Sequence, residues 1–414
     1  MSTIALFGAG RVAAPAIGLL VERGHRVQVK TDRPEDAPHI GGADVALLDA
    51  RDSDAVRSAI SGADLALSLL PAHLHVPVAR ACLLERKPFL STSYASPEIQ
   101  SLDEDAREKG VLLFNECGLD PGIDHLLAVD LLENARALGA QVTAFRSLCG
   151  GIPAPSANDN PFGYKISWST RGVALAGSRP ARYLENREER ACGPGEIFLA
   201  PRPCEIEGIG RLEFYPNGDA LPYAKKYGIE DVRSIYRGTL RWPGWCKTWS
   251  AIARLGWLDD TAPFRSQTRA EAAAILHLSS SDPVFERLAW LGLFEEDGAS
   301  GARSRLDRLV LLMEERMAYR PGEHDLVVLR DEIEIARGEK NEILSSTLVE
   351  EGTADTSAMA RLVGVPAALA AIRILDGTIE GAGVRIPDDP RTARLLLQDL
   401  AGAGIVARSG VSSP

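Results

Sequence analysis

A chain of 414 residues exceeds what one ordinary hydrophobic core holds, so two or three domains are expected. Its 45% hydrophobic and 25% charged residues are the proportions of a globular protein that dissolves in water. The formal net charge of -11 argues against nucleic acid or an anionic membrane as the main partner.

The first element is read over Ile4-Ala5-Leu6-Phe7, a short apolar run of the kind buried on both faces of a parallel sheet. Gly8-Ala9-Gly10-Arg11-Val12-Ala13 follows. Gly8 permits a tight turn, Gly10 lets the backbone approach a pyrophosphate, and Ala13 is small enough for the next helix to pack on the strand. That helix is expected through Ile17, Leu19 and Leu20 to Gly24. A second strand, Arg26 to Val29, leads into Lys30-Thr31-Asp32-Arg33, and Asp32 stands near where an acid would hold the adenine ribose hydroxyls. Strand, glycine turn, helix and acid together point to dinucleotide binding; the rival reading is a glycine turn with only a packing role.

The alternation continues through Ala43–Asp49, Ala63–Leu70, Lys87–Tyr94 and Gly110–Glu116. The ends Ser68-Leu69-Leu70-Pro71 and Ser91-Thr92-Ser93-Tyr94, with Gly118-Leu119-Asp120, are placed on one crevice, since open parallel sheets bind ligands at their carboxyl ends. The expected cofactor is NAD or NADP. Its expected contacts are Gly8, Gly10, Arg11, Val12, Asp32, Arg33, Ser68, Leu69, Leu70, Pro71, Ser93, Gly118 and Leu119.

Beyond His125 the pattern changes. A helix (Leu126–Ala137) precedes a strand (Gln141–Cys149) and a loop rich in Pro, Gly and Asn. Leu212–Pro216 reads as a strand. Leu240–Tyr319 is mostly helix-like, with Trp242, Trp245, Trp249 and Trp257 at one end, read as core rather than as a substrate platform. His324–Ala336 returns to strand character and Ala354–Leu375 to helix. Asp297–Ser304 is the expected flexible loop and Ser409–Pro414 an expected frayed end. No apolar run reaches the ~18 residues that cross a bilayer. The amino terminus enters a strand directly, with no basic region or signal core. Six cysteines without a CxxC pair suggest reduced thiols, so the expected compartment is the cytoplasm. Seven scattered histidines suggest no metal site.

Several runs of unusual composition give the chain a family look. Beyond Gly8–Ala13, Ser68–Pro71 and Ser93-Tyr94, these are Gly118–His125, Cys149–Pro155, Asn160–Gly172, Tyr215-Pro216-Asn217, Arg237–Arg241, Tyr319–Glu323, Ser346-Thr347-Leu348 and Leu375–Thr378. On them the chain resembles the saccharopine reductase family, the glutamate-forming saccharopine dehydrogenases of lysine metabolism, over almost its whole length. The resemblance implies an α/β fold: a Rossmann-type doubly wound parallel sheet plus an α+β substrate domain with an inserted helical subdomain. Its expected boundaries are 1–124, completed by about 355–414, for the dinucleotide domain. The mixed-sheet substrate domain is expected at 125–239 and 320–354, and the helical insertion at 240–319.

The reaction that this implies is oxidation of a secondary amine to an imine that water then cleaves to an aldehyde and an amino acid, or the reverse. The implied partner is a small amino-acid-like substrate; a homodimer is compatible with the sequence. Such a reaction needs an acid/base group, because only a neutral amine loses hydride. Asp120 is the first candidate, Tyr94 a donor to substrate or cofactor, and Cys149 a match to a family active-site cysteine and a weak thiol donor. Their rival readings are a turn residue, packing, and a small buried residue. Asn160, Ser169, Arg171, Asn217, Arg237 and Arg241 are the substrate-binding candidates; for Asp124, at a helix start, capping is the rival reading. Two positions depart from the family pattern. Gly218 stands where the family has an arginine that holds a substrate carboxylate, which a glycine cannot replace. Asp32 stands where NADP-using members have an arginine, which leans the expectation slightly to NAD, although Lys30 and Arg33 adjoin it. A carboxylated polyamine or opine-type amine as substrate, or a cofactor-binding regulator without catalysis, are the alternative functions.

Overall fold

The computed structural model describes residues 1–37, 41–261, 265–295 and 301–413. The chain forms two compact units, one of Met1–Leu138 with Ala358–Arg408, the other of Gly139–Ser357 with Ser409–Pro414.

The first unit is built on β1 (Thr3–Phe7), β2 (Arg26–Thr31), β3 (Ala43–Leu47), β4 (Leu65–Ser68), β5 (Phe89–Ser91) and β6 (Leu112–Phe114). A seventh strand, Gly383–Arg385, comes from the carboxyl-terminal segment and pairs with β6. All pairings are parallel, in the order (383–385)-β6-β5-β4-β1-β2-β3. Ile4–Phe7 and Leu65–Leu67 are fully buried, which is why these strands read as unbroken apolar runs instead of alternating ones. The chain runs outward from β1 to β3 and then returns to place β4 on the other side of β1. That reversal is the switch point at which the crevice of such a sheet opens.

The helix Ala13–Glu22 packs against Ala358–Leu375, tightly at Gly364, where a Cβ would lie 2.8 Å from the Val12 carbonyl oxygen. Ala358–Leu375 bears on the expectation that no unbroken apolar run is long enough to cross a bilayer, which it leaves standing. With 18 residues and a mean hydropathy of 1.7 it is long and apolar enough to cross a membrane by length and composition, although Arg361 and Arg373 interrupt it. Burial accounts for that apolarity: 67% of the helix lies inside the fold, and Arg373 pairs with Asp399 at 2.6 Å.

The second unit holds a mixed sheet. Its strands are β7 (Gln141–Pro153), β8 (Ala181–Glu185), β9 (Glu188–Cys192), β10 (Arg202–Ile206), β11 (Gly210–Pro216), β12 (Ser234–Arg241), β13 (Asp325–Arg337), β14 (Lys340–Glu351) and Arg408–Ser412. The order is β10-β11-β12-β7-β13-β14-(408–412), with β8 on β12 and β9 on β8. β7 and β12 run parallel, and β13 is antiparallel to both β7 and β14. β7 extends through the expected Gly-Gly loop. Gly150 stays in the sheet opposite Val328, and a Cβ there would lie 2.5 Å from the Leu240 carbonyl oxygen. The expected frayed end is corrected, because Arg408–Ser412 is a strand beside β14. Of the expected loop 297–304, residues 297–300 lie outside the described residues, and Ser304 caps the helix Arg305–Arg316 by accepting from the Asp307 amide at 3.0 Å. Four helices (Trp245–Arg254, Arg269–Leu276, Pro283–Leu291 and Arg305–Arg316) share one apolar core with Phe162, Tyr164, Ile166 and Tyr215. Trp245 and Trp249 stack within it at 4.2 Å, and Trp257 is buried there too.

Candidate active site

At the end of β1 the backbone turns at Gly8 with φ +98°. A Cβ on Gly8 would lie 3.1 Å from the Leu69 carbonyl, so the turn after β4 closes directly on this glycine. The Gly8 amide donates to the Lys30 carbonyl at 2.8 Å, tying the turn to the end of β2. Gly10 is exposed, and a Cβ on it would meet nothing within 4 Å. No side chain caps the helix Ala13–Glu22 and no acid stands in its first turn. Its leading N–H groups are therefore not covered by side chains and can take phosphate oxygens, with the helix dipole in the favourable sense. The residues present thus fit a dinucleotide: Gly8, Gly10, Arg11 and Val12 for the pyrophosphate, and the end of β2 for the ribose. There Asp32 and Arg33 are both exposed, and the Arg33 amide donates to Thr31 Oγ1 at 3.2 Å. Arg51, paired with Asp49 at 2.8 Å, also feels the charge of Asp32.

Leu69 and Leu70 line the turn against Gly8, with Pro71 exposed beyond them. Ser68 is fully buried, and its hydroxyl is engaged by His75 Nδ1 at 2.8 Å, so a contact from Ser68 to a cofactor would come through its backbone. Ser93 Oγ lies 2.8 Å from the other nitrogen of the same ring. Gly118 is in close quarters, with Thr92 and the Pro121 carbonyl 3.2 Å from where a Cβ would be. Leu119 is buried.

The loops after β5 and β6 meet. Tyr94 Oη donates to Asp120 Oδ1 at 2.7 Å, with Tyr94 43% exposed and Asp120 half-buried. Beneath the pair lies Glu116, fully buried and in the left-handed region at φ +61°. Its carboxylate accepts from the Ala95 amide at 3.1 Å and lies 2.7 Å from His125 Nε2. Glu116 thus ties the residue after Tyr94 to the helix Ile123–Ala137 that follows Asp120. The Asp120-Pro121 peptide is cis. Asp124 accepts from the Gly122 amide at 2.5 Å, which is the capping reading of that residue.

In the second unit, register places several polar candidates on one face of the sheet. Cys149 pairs with Thr239 and Ser147 with Arg237, so these four and Arg241 point the same way. Leu148, Tyr236 and Leu240 point oppositely into an apolar core. Arg241 is the most informative of the set. It is 4% exposed, its guanidinium carbon lies 5.0 Å from the ring of Tyr164, 5.3 Å from Trp245 and 6.0 Å from Tyr215, and Nη1 donates to the Leu240 carbonyl at 2.8 Å. Its Nε has no partner, and among the described residues no carboxylate forms an ion pair with it. A buried cation without a counter-charge is costly, and a ligand carboxylate would complete the site. Burial leaves the Ser167 and Tyr319 hydroxyls without partners as well, and it pushes the Tyr319 phenol well up.

The other substrate candidates are engaged locally. Arg171 pairs with Asp260 at 2.6 Å and Asp307 at 2.9 Å. Ser169 Oγ accepts from the Gly172 amide at 3.1 Å, capping a helix. Asn160 donates to the Tyr164 carbonyl at 2.7 Å and accepts from the Phe162 amide at 3.0 Å, a closed turn. Asn217 and Gly218 form an exposed turn, Gly218 with φ +65° and open space around a Cβ. Arg237 lies over the ring of Tyr223 at 4.3 Å. Sequence reasoning missed His75, Glu116, and Tyr164 with Trp245 as walls around Arg241. Tyr164 carried a signal in the unusual run Asn160–Gly172, and Trp245 in the tryptophan cluster read as core.

Sheet and cradle are those of a dinucleotide-dependent oxidoreductase with a Rossmann-type unit and a mixed-sheet unit. Residues 4–114 match the saccharopine dehydrogenase NADP binding domain, and 118–405 the saccharopine dehydrogenase C-terminal domain. The chain belongs to the saccharopine dehydrogenase family. It is 34% identical to the saccharopine dehydrogenase [NADP(+), L-glutamate-forming] of Pyricularia oryzae, over 96% of each chain. It is 31% identical to the mitochondrial alpha-aminoadipic semialdehyde synthase of Bos taurus, over 97% of this chain and 47% of that protein. The apo, histidine-tagged saccharopine dehydrogenase (L-Glu forming) of Saccharomyces cerevisiae superposes with a TM-score of 0.89 at 30% identity, over all of both chains.

Proposed function

We propose that the protein interconverts saccharopine with glutamate and aminoadipate semialdehyde through an imine, using NAD(P). Near full-length likeness to proteins bearing that name supports the reading. The observation that carries it in the chain itself is the Tyr94–Asp120 hydrogen bond at the strand ends of the dinucleotide unit. A nicotinamide dinucleotide, its pyrophosphate held at Gly8, Gly10, Arg11 and Val12, would supply the hydride acceptor or donor. Asp120 takes the proton of the secondary amine, which leaves the nitrogen lone pair free to assist loss of hydride from the neighbouring carbon. Tyr94 holds the carboxylate in place and stabilises its charge through the 2.7 Å bond. Water then adds to the imine carbon, and the proton stored on Asp120 returns to the leaving nitrogen as the carbon–nitrogen bond breaks. Saccharopine, oxidised cofactor and water thus give glutamate, the semialdehyde, reduced cofactor and a proton. Arg241 holds a substrate carboxylate, with Arg237 on the same face; Cys149 contributes at most a weak thiol donor.

The relatives' names favour NADP, whereas Asp32 favours NAD through ribose hydrogen bonds. Gly218 favours a second reading, a carboxylated polyamine or opine-type amine, because no side chain stands there to hold the family's carboxylate. Within the second unit, 240–319 is an insertion between sheet strands, supported by the helices that lie between β12 and β13. The test is turnover of saccharopine, an opine-type amine and a carboxylated polyamine by wild type and Tyr94→Phe. Saccharopine should be the best substrate, with kcat lowered about tenfold or more in Tyr94→Phe at unchanged cofactor affinity. A Tyr94→Phe variant with wild-type kcat would remove the pair from the chemistry.

A further inference from the structure

One buried imidazole has no part in the scheme above. His75 opens the helix His75–Glu85 and is 3% exposed. Both of its nitrogens are engaged, Nδ1 by Ser68 Oγ and Nε2 by Ser93 Oγ, each at 2.8 Å. The ring of Phe89 stands edge-on at 6.2 Å. Burial, helped by the charge of His73, lowers the imidazole pKa to about 4, so the ring is neutral at pH 7. A neutral imidazole has one N–H and one lone pair. One serine therefore donates to the ring and the other accepts from it, and the three side chains form a directed chain of hydrogen bonds.

The two serines stand on different walls. Ser68 ends β4, and the next residue donates from its amide to the Phe7 carbonyl at 2.8 Å, while its own carbonyl lies against Gly8. Ser93 precedes Tyr94, and its carbonyl accepts from the Glu116 amide at 3.1 Å. The β4–β5 ladder ends at Ser68 opposite Ser91. Past that pair the two chains part into loops, and the imidazole spans them. A buried hydrogen-bonded bridge of this kind fixes distance and direction, which an apolar contact does not.

We infer that His75 is a positioning residue of the dinucleotide site: through Ser68 and Ser93 it holds the turn 68–71, which lies beside Gly8, at a fixed distance from the loop 92–94, which carries Tyr94. The inference rests on the reading of this unit as a nicotinamide-dinucleotide binder. The turn beside Gly8 and the tyrosine then form one preorganised wall, and its loosening weakens cofactor binding before it affects folding.

The test uses the full chain with His75→Phe, which fills the space but makes neither bond. Alongside it go His75→Asn, whose amide reaches the Nδ1 position and keeps Ser68, and His75→Gln, whose amide reaches the Nε2 position and keeps Ser93. Dissociation constants for NADPH and NADH are read by fluorescence titration, with Tm as the check on folding. We expect His75→Phe to weaken binding of the preferred cofactor about tenfold or more, as the loss of two buried hydrogen bonds implies. His75→Asn and His75→Gln each recover part of it. Ser68→Ala and Ser93→Ala each weaken binding on their own and add nothing in the His75→Phe background. A folded His75→Phe that binds both cofactors as wild type does overturns the bridge. So does full additivity of the serine and histidine effects. If His75→Phe does not fold, wild-type affinity in His75→Asn, His75→Gln and both serine variants overturns it equally. A wild type that binds neither NADH nor NADPH instead removes the dinucleotide reading, and the inference with it.

Discussion

Gly10 and Gly8 show how differently two glycines of one turn are constrained. Gly8 is enforced by the fold, with positive φ and a backbone neighbour at 3.1 Å, whereas Gly10 has open space around it. A Cβ on Gly10 meets nothing within 4 Å, so Gly10→Glu should leave Tm within about 3 °C of wild type. Its carboxylate would repel a pyrophosphate, so cofactor affinity should fall at least about tenfold in a titration. Asp32 acts at the other end of the dinucleotide. Asp32→Ala removes a charge that repels a 2′-phosphate, and the ratio of kcat/KM for NADP over NAD should rise about tenfold. An unchanged ratio would show that Arg33 and Arg51 already neutralise the acid. Arg241 is the residue whose environment makes the most sense as function. Arg241→Met removes an uncompensated buried charge from an aromatic cage, so Tm should hold or rise. Turnover of saccharopine should still fall roughly 10- to 150-fold in kcat/KM. Arg171→Ala, which only releases Asp260 and Asp307, should lose far less.

Between elements, the second unit is tied by charge. Lys165, buried, pairs with Glu323 at 2.6 Å and Asp159 at 2.8 Å, and Arg320 joins both acids. This cluster links the loop before the helix Thr170–Ala176 to the segment that leads into β13. Burial alone would raise the Glu323 carboxyl, but hydrogen bonds from Lys165 and Arg320 outweigh it and bring its pKa down to about 2. A carboxyl lowered in the folded state stabilises fully above its unfolded pKa of about 4.3 and loses that contribution as pH falls towards 2. Thermal midpoints of wild type should therefore fall more steeply below pH 4.5 than those of Glu323→Gln. Parallel curves would remove the cluster from the stability of the unit. Element by element, legibility followed locality. β1, its glycine turn and the next helix stand in one contiguous stretch, and the sequence announces them. β8 and β9 went unread because they are short, β9 is largely exposed, and neither shows the alternation of a half-buried strand. β7 ran past its expected end because Gly150 and Gly151 are held in the sheet by pairing with Val328 and Val327, far along the chain.

At the scale of the molecule, the family and the parallel sheet were legible because both rest on long runs of residues. The candidate site was legible only in part. Asp120 and Tyr94 stand in contrasting motifs at strand ends, and the structure brings them to hydrogen-bonding distance. His75 and Glu116 were hidden, because a lone histidine or glutamate acquires meaning only from the partners that folding delivers. The same holds for the cage around Arg241, assembled from positions 164, 215 and 245. Asn160 and Ser169 show the converse, since suggestive residue types are consumed by a turn and a cap.

The most direct measurement is the stoichiometry of one reaction: purified protein with saccharopine and NADP or NAD, following reduced dinucleotide by its absorbance and glutamate by amino-acid analysis. The account predicts equal amounts of the two, both falling at least about tenfold when Asp120 is replaced by Asn. Reduced dinucleotide with no glutamate, or no turnover of saccharopine by a wild type that binds cofactor, would contradict it.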